Sequence, residues 1–362
     1  MIFDNIIIGT SPLSIIEATS FISNGSVLSI EGTGDIGGAW STMKYDNLPE
    51  IEIGCHIWSY NREVYNFLEN ILELNLVPLE PSPKIYTKNK FIPYDWKSSV
   101  VSLKEILKSI SMLNFKRLHQ LRKSPAFRFN ITSADYMYPE QGAKDLQRNL
   151  KRYVDLNSLS IQFNTKIKEV VVTNQTVQLI ANDDSCFETK HLTITSLTDI
   201  EKVTFPDGTE LRIEKNKMEY IHVHLLIKET RQKKRPFSYI RVMQNKIIHR
   251  ISDMTGQVQG EISEDEKLIC VGIWESAYHS MDTSELADLC INKLKDMKLI
   301  SNEASLLKYN SNVFPSLYID GAQLNQVSTK SNGRINVLRS TDFIYSFHNK
   351  LEQYQSLLNS NA

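Results

Sequence analysis

The stretch from Asn5 to Trp40 constrains the fold of this 362-residue chain more than any other part of its sequence. It begins with three consecutive isoleucines, a pattern typical of a strand that is buried on both faces. A turn starts at Gly9, and apolar residues then recur at helical spacing as far as Asn24 and Gly25, where the helix should end. A second apolar strand leads into Glu31. This order predicts a βαβ unit, and therefore a sheet with parallel strands.

The turn and the acid have the spacing of a nucleotide-binding unit. Glu31 follows Gly9 by 22 residues (31 − 9), close to the distance at which such an acid bonds a ribose hydroxyl, while the helix N-terminus faces a pyrophosphate. Ser11 and Ser14, however, replace the second and third glycines of the GxGxxG pattern. The first serine adds a Cβ where backbone approaches phosphate, and the second loosens the packing of helix on strand. An ordinary βαβ unit without a ligand is the alternative.

A glycine pair follows the acid, in the string Gly37-Gly38-Ala39-Trp40. With this string, the sequence from Ile6 to Trp40 resembles the flavin-binding N-terminus of the FAD-dependent superfamily of amine oxidases, protoporphyrinogen oxidases and UDP-galactopyranose mutases. The later string from Gly54 to Trp58 resembles a segment that passes close to the flavin ring in that family. The resemblance implies an α/β fold in which a Rossmann-like FAD-binding domain is interwoven with a smaller substrate domain of sheet plus helix.

The order of the motifs predicts that both domains are built from discontinuous segments. The FAD-binding domain is expected to take residues 1–78, 133–215 and 310–362, and the substrate domain residues 79–132 and 216–309. The active site is then expected in the cleft where the two domains meet.

The resemblance also implies which residues hold FAD. Ile167 would present its backbone to the adenine, and Arg339 would meet a phosphate. Leu338 stands where the family has a glycine, so its side chain is a possible obstruction to the cofactor. The full set of predicted cofactor-binding residues is Gly9, Ser11, Pro12, Ser14, Glu31, Gly37, Gly38, Trp40, Gly54, Ile167 and Arg339.

Three residues are candidates for catalysis by the same resemblance. His56 would lie beside the flavin ring, where imidazole can donate a hydrogen bond or titrate near neutral pH; a satisfied core histidine is the alternative. Tyr239 and Arg250 fall in strings that resemble the family's substrate-domain sheet and would face a ligand. His222 and His224 are two residues apart in a strand, so they share one of its faces. The sequence offers no third ligand beside them, so a polar sheet face is predicted rather than a metal site.

Composition limits the remaining classes. A hydrophobic content of 41% and a charged content of 23% describe an ordinary soluble globular protein, and a net charge of −1 gives no electrostatic case for binding nucleic acid or an acidic membrane. The four cysteines form no CxxC pair, which favours a reducing cytoplasm over a disulfide framework or a zinc site. No apolar run approaches the ~18 residues that would span a bilayer.

The family resemblance implies a flavoprotein with NAD(P)-binding-like topology that transfers a hydride from a small-molecule or sugar-type substrate to FAD. A redox-neutral mutase acting on a nucleotide-sugar is one alternative; it would need basic side chains, for which Arg250 and the run from Lys116 to Arg122 are the candidates. The other alternative is a binding or scaffold protein that keeps the fold but has lost catalysis or the flavin. The sequence leaves the oligomeric state open.

Overall fold

The computed structural model describes residues 1–52, 68–78, 83–93, 137–195, 198–229, 237–243, 245, 247–258, 260–274, 281–319 and 321–338. The predictions for Gly54, His56, Arg339 and the basic run from Lys116 to Arg122 lie outside these ranges. The strands and α-helices, in chain order, are β1 (Ile2–Ile8), α1 (Pro12–Phe21), β2 (Val27–Ile30), β3 (Thr42–Met43), β4 (Ile51–Glu52), β5 (Leu76–Pro78), β6 (Lys84–Thr87), β7 (Lys90–Pro93), β8 (Met137–Pro139), α2 (Ala143–Leu156), β9 (Ser160–Gln162), β10 (Ile167–Val172), β11 (Val177–Ala181), β12 (Cys186–Thr195), β13 (Lys202–Thr204), β14 (Glu210–Arg212), β15 (Lys215–Lys228), β16 (Tyr239–Val242), β17 (Ile248–Asp253), β18 (Glu266–Trp274), α3 (Thr283–Asp296), β19 (Ser305–Ile319), α4 (Gly321–Lys330) and β20 (Ile335–Leu338).

The first sheet contains the βαβ unit predicted from the sequence. Five of its strands run parallel, in the order β20, β12, β1, β2 and β9. The antiparallel strands β10 and β11 join the sheet at β12, and β13 and β14 extend it beyond them. Because the carboxyl ends of parallel strands share one edge, the turn after β1 and the acid after β2 lie side by side.

The isoleucine run of β1 is apolar throughout because both faces of this sheet are covered. Ile7 belongs to the hydrophobic cluster that includes residues of α1 and α2, whereas Ile6 belongs to the cluster on the opposite face with α4 and the β10–β12 meander. Neither side chain is exposed. Successive side chains of a strand point to opposite faces, so adjacent isoleucines in a doubly covered strand serve two separate cores.

The second sheet has seven strands, in the order β19, β15, β18, β17, β16, β6 and β7. One face is apolar and packs against α3, in a cluster that includes Val223, Ile251 and Leu294. The opposite face carries the predicted polar histidines, His222 and His224, both fully buried. The alternation in the sequence therefore indicated the strand and its two faces correctly.

The segment from Gly38 to Glu52 connects the two sheets. Its short strands β3 and β4 pair with each other, and Leu48 and Ile51 pack in a cluster with Leu226 and Cys270 of the second sheet. This packing holds the polar side of the second sheet against the segment that follows the glycine pair.

These two sheets establish the α/β class. β19 lies wholly in the second sheet and spans the predicted domain boundary at residue 310. The division into domains stays a prediction. Among the described residues, no helix is both long enough and apolar enough to cross a membrane.

The carboxylate of Asp4 provides a test of the contacts near the amino-terminal end of β1, at the opposite end of the strand from the turn after Ile8. It accepts hydrogen bonds from the Ser26 backbone and hydroxyl and from Lys190, at 2.7 to 2.9 Å, and these bonds lower the pKa of Asp4 to about 2, the contribution of Lys190 being the largest. The stability that they confer is present above the ordinary pKa of 3.8 and is lost as the pH falls through about 2. We expect Asp4→Asn to remove that part of the acid sensitivity in urea unfolding between pH 4 and 2. Exposed Asp155→Asn should follow the wild-type profile, and an Asp4→Asn profile identical to the wild type would contradict the assignment.

Candidate functional site

Thr10 links the turn after β1, the acid Glu31 and the glycine pair, all at the edge of the first sheet where its parallel strands have their carboxyl ends. Its backbone N–H donates to Oε2 of Glu31 at 3.0 Å and its hydroxyl donates to the same oxygen at 2.5 Å. Its carbonyl oxygen accepts a hydrogen bond from the Gly37 backbone at 3.0 Å. Thr10 is fully buried, so this network is shielded from water. The turn, the acid and the glycine pair are therefore held together by one residue that sequence reasoning did not identify.

The second oxygen of the Glu31 carboxylate is also occupied. Oε1 accepts from the backbone N–H and the hydroxyl of Thr33, both at 2.9 Å. A carboxylate accepts about four hydrogen bonds, so a ribose hydroxyl would have to replace one of these donors. The Thr33 hydroxyl has a single proton and also lies 2.9 Å from the carbonyl oxygen of Asp35. It can turn fully onto that carbonyl, which would free one position on Glu31 for a ribose.

The two serines of the turn point into the first turn of α1. Ser11 is the N-cap, and its hydroxyl accepts from the Ser14 backbone at 3.3 Å and lies 2.8 Å from the Ser14 hydroxyl. Ser14 is fully buried, and a Cβ added at Gly9 would lie 3.6 Å from its Oγ. Pro12 occupies the first position of the helix, where its missing N–H is tolerated. Both serines are thus accommodated, although Ser11 uses a first-turn N–H that a phosphate would otherwise meet.

The glycine pair depends on backbone conformations that other residues rarely adopt. Gly37 has φ +114° and Gly38 has φ +56°, both in the left-handed region. A Cβ added at Gly38 would lie 3.7 Å from atoms of Ser11, so the pair lies directly against the turn. Gly38–Trp40 form a short 3₁₀ helix, and Trp40 at its end packs against the cluster beneath α1.

Leu338 and Ile167 are both buried in hydrophobic cores. Leu338 ends β20 and lies in the cluster that contains Ile7 and Leu13, so its side chain is directed into the core beneath α1. Ile167 begins β10 and lies in the opposite cluster. Its predicted backbone contact with adenine stays a prediction. The hydroxyls of Ser11 and Ser14 bond each other, the side chain of Leu338 packs into the core, and the Thr33 hydroxyl can move from Glu31 to the Asp35 carbonyl. The residues at this edge therefore fit a dinucleotide.

The second half of the site is the polar face of the second sheet. Two neighbouring rows of paired residues cross it from strand to strand, and together we call them the polar rows. The first row consists of Asn312, His222, Gly272, Arg250, Arg241 and Ile85, and the second of Asn310, His224, Cys270, Ser252 and Tyr239. Directly paired residues share a face, so these side chains lie on one surface.

A β-bulge in β17 directs Arg250 onto this face. Ile248 pairs with Ile273 and Arg250 with Gly272, which leaves His249 as the extra residue. In a regular strand, residues three apart face opposite sides. Because of the extra residue, Ile248 and Ile251 are instead buried in the same apolar cluster. Bulges of this kind re-aim side chains next to binding sites.

Gly272 provides the space through which Arg250 reaches its partner. Nη2 of Arg250 lies 2.5 Å from Nε2 of His222, on the far side of β18. A Cβ at Gly272 would lie 2.8 Å from Cγ of Arg250 and 2.6 Å from Nε2 of His249. A guanidinium can only donate, so His222 accepts through Nε2 and is neutral. This contact fixes the direction of the Arg250 side chain.

The two neighbouring imidazoles differ in burial and in their contacts, since His224 is fully buried and His249 partly buried. Burial, followed by the nearby charges of Arg250 and Arg241, lowers the pKa of His249 to about 3, so it is neutral at pH 7. Its ring lies 4.9 Å from that of Trp274. Nδ1 of His224 lies 3.4 Å from the Tyr45 hydroxyl, and its Nε2 has no hydrogen-bond partner among the residues that the structure describes.

The two halves of the site are close together. Met43 follows Gly38 by only five residues, a span of at most roughly 18 Å. Nδ2 of Asn312 lies 3.5 Å from Sδ of Met43, which places the polar rows beside this segment. The structure therefore brings Arg250 and Tyr239 together on one face of the second sheet, and the Asn312 end of the polar rows lies beside the segment that follows the glycine pair.

Sequence reasoning missed several residues of this arrangement. The alternation around His222 and His224 was visible, but the roles of Arg241, Gly272 and Tyr45 depend on strand register and on packing between the sheets. Thr10 and Thr33 carried a signal only in their positions beside Gly9 and Glu31. No group of three His, Cys, Asp or Glu residues suited to a metal occurs in the described part of the chain.

Fold and site together define an α/β protein with a dinucleotide-type edge on one sheet and a polar-faced second sheet beside it. The chain is similar to a reduced UDP-galactopyranose mutase, with a TM-score of 0.68 and 12% identity over 99% of this chain and 94% of that one. It is similar to putrescine oxidase bound to putrescine, with a TM-score of 0.63 and 13% identity over 99% of both chains. A third similar structure is a protein provisionally assigned as a protoporphyrinogen oxidase from an Exiguobacterium species, with a TM-score of 0.65 and 10% identity over 97% of this chain and 98% of that one.

No family model matches the sequence, and no curated protein matches it. The similar structures confirm, at the level of the fold, the resemblance and the α/β class predicted from the sequence.

The Thr10 network predicts a stability effect. Thr10→Val keeps the shape of the side chain but removes the hydroxyl that donates to buried Glu31, so we expect a loss of about 1–3 kcal/mol in urea unfolding. The matched control is Thr209→Val, because Thr209 donates to Asp207 at 2.6 Å on an exposed turn. That change should cost less than about 0.5 kcal/mol. Equal losses in the two variants would show that burial of the Thr10 bond is unimportant.

The close contacts around Gly272, which has no side chain, predict a second effect on stability. Gly272→Ala places a methyl group against His249 and Arg250, and such overpacking costs about 1–3 kcal/mol. Gly256→Ala is the control, since a Cβ there meets nothing within 4 Å. We expect urea unfolding to show the loss only at Gly272, and a neutral Gly272→Ala would mean that the two side chains move aside freely.

Proposed function

We propose that this protein is an FAD-dependent oxidoreductase that acts on a small-molecule or sugar-type substrate. The observation that carries the proposal is the Thr10 network, which arranges a turn, an acid and a left-handed glycine pair at the edge of a parallel sheet. The same elements occur in the FAD-binding superfamily that the sequence resembles, and the similar structures support the proposal through their shared fold.

The residues of this edge have distinct proposed roles. Glu31 would accept hydrogen bonds from the ribose once Thr33 turns onto Asp35, and the backbones of Gly37 and Gly38 would lie along the diphosphate. Ser11 and Ser14 would hold the start of α1 in place beneath it. The remaining proposed cofactor contacts, argued from the family resemblance, are Gly9, Pro12, Trp40, Gly54, Ile167 and Arg339.

The polar rows are the proposed substrate surface. When bound, FAD supplies the two-electron chemistry, and the protein binds and orients the substrate and excludes water. Arg250, held by His222, would orient a polar group of the substrate, with Tyr239 on the neighbouring row. His56 is proposed to lie beside the ring. The division into an FAD-binding domain of residues 1–78, 133–215 and 310–362 and a substrate domain of residues 79–132 and 216–309 forms part of the same proposal.

A redox-neutral mutase is the second candidate, favoured by the similarity to UDP-galactopyranose mutase and by arginines on the polar rows. A scaffold without flavin is the third, favoured by the full set of protein donors on Glu31. Absorbance of the purified protein separates the flavoproteins from the scaffold, because bound oxidised flavin has bands near roughly 370 and 450 nm. A colourless protein that takes up no added FAD would contradict the first two readings.

The role of Glu31 is testable directly. We expect Glu31→Ala to weaken FAD binding by roughly 10- to 100-fold, since a hydrogen bond to a charged group contributes about 1.5–3 kcal/mol. Fluorescence titration of FAD measures the dissociation constant, and unfolding of the same variant checks that it is folded. His56→Ala should retain FAD affinity but lower turnover. Unchanged FAD affinity in a folded Glu31→Ala variant would remove the acid from the proposed site.

A further inference from the structure

A cleft beside strand β19 lies outside both halves of the proposed site, and we call it the β19 cleft. Its volume is about 540 Å³, which falls within the range of about 300–1,000 Å³ that small-molecule sites occupy. The segment that connects the two sheets, the edge strand β19 and the start of β18 meet around it. None of the described residues that line it belongs to the polar rows or to the carboxyl edge of the first sheet.

Part of the lining of the β19 cleft is apolar. Leu48 and Leu226 are buried in the cluster that joins the connecting segment to the second sheet, and Ile262 packs against the same cluster. Leu307 also lines the cleft but is 42% exposed, whereas most large apolar side chains of the described residues are covered. Apolar surface that is left open in a concave place favours a ligand with an apolar part.

A β-bulge in β19 turns Leu307 towards this cleft. Leu226 pairs with Lys308 and Ile227 with Leu306, which leaves Leu307 as the extra residue of the strand. In a regular strand, Leu307 and Lys308 would point to opposite faces of the sheet. Both of them line the β19 cleft instead. Because bulges occur where a strand re-aims a side chain next to a functional site, this irregularity indicates a ligand here.

Carboxylates outnumber cations around the cleft. The charged residues of its lining are Asp46, Glu261, Glu266 and Lys308. Nζ of Lys144 lies 2.5 Å from Oε1 of Glu261 and neutralises that carboxylate, so two carboxylates remain against one ammonium group. Oε2 of Glu266 accepts a hydrogen bond from the backbone N–H of Ser263 at 2.9 Å, which holds this half-buried carboxylate in place. The lining is therefore negative as a whole.

We propose that the β19 cleft binds a small organic cation with an apolar body, of the alkylammonium class. The apolar body would cover Leu48, Leu226 and Leu307, and the ammonium group would bind the carboxylates of Asp46 and Glu266. The negative lining disfavours an anion. A bare metal ion is disfavoured as well, because the described residues contain no group of three His, Cys, Asp or Glu suited to a metal. This site is additional to the proposed function and requires no flavin.

Isothermal titration of the full-length protein with three probes of equal chain length tests the proposal. The probes are hexylammonium, neutral 1-hexanol and hexanoate. We expect hexylammonium to bind most tightly, because it combines apolar contact with a favourable charge. Hexanol should bind more weakly since it lacks the charge, and hexanoate most weakly since the carboxylates repel it. Absence of hexylammonium binding, or binding of hexanoate that is equally tight, would overturn the proposal.

Three variants separate the two parts of the lining. Leu307→Asn should weaken hexylammonium and hexanol alike, by roughly fivefold or more, because both lose apolar contact. Glu266→Gln should weaken hexylammonium by roughly two- to fivefold, as expected for a partly exposed charge pair, and leave hexanol unchanged. Lys308→Met should tighten hexylammonium, because it removes the like charge. All three positions are exposed or half-buried, so we expect the variants to fold, and urea unfolding checks this.

The matched controls are Leu156→Asn and Glu303→Gln, which make the same changes at exposed positions that do not line the cleft. Both should leave the binding of all three probes unchanged. An alkylammonium ion that bound on the polar rows instead would be insensitive to Leu307→Asn and Glu266→Gln. Affinities in these two variants that equal those of the controls would therefore show that the β19 cleft is not the site.

Discussion

The buried hydrogen bonds between Thr10 and Glu31 are the constraint on which the first half of the site depends. An ionised carboxylate taken out of water must be fully bonded, and here the donors come from the turn and from the segment that leads to the glycine pair. The acid therefore holds the carboxyl edge of the sheet in shape before any cofactor arrives. A consequence is competition, since the bonds that shape the edge are those that a ribose would take over.

The second sheet uses a different device to build a polar surface inside the protein. One face is a conventional apolar core with α3, and the other carries imidazoles, amides and arginines where a second apolar layer is the simpler solution. The bulge at His249 allows β17 to serve both faces, because it keeps Ile248 and Ile251 in the core and still directs Arg250 to the other side. One strand thus contributes to an apolar core on one face and to a polar surface on the other.

The connection between these halves is short and well packed. Leu48 and Ile51 anchor it on the second sheet, and Gly38 lies against the turn of the first. This packing sets how the carboxyl edge of the first sheet and the polar rows of the second lie relative to each other, and the proposed reaction between a cofactor and a substrate would depend on that spacing. The serines of the turn are compatible with this arrangement because their hydroxyls bond each other at the N-terminus of α1.

The sequence by itself determined the βαβ unit, the α/β class and the polar strand face, since these follow from local periodicity and turn chemistry. It also marked Glu31, Arg250 and Tyr239, but not their partners. Only the tertiary structure decided that Thr10 and Thr33 occupy the carboxylate, that Leu338 packs inward, and that Gly272 lets Arg250 reach His222. These facts depend on strand register and on contacts between residues far apart in the chain, which no local pattern encodes.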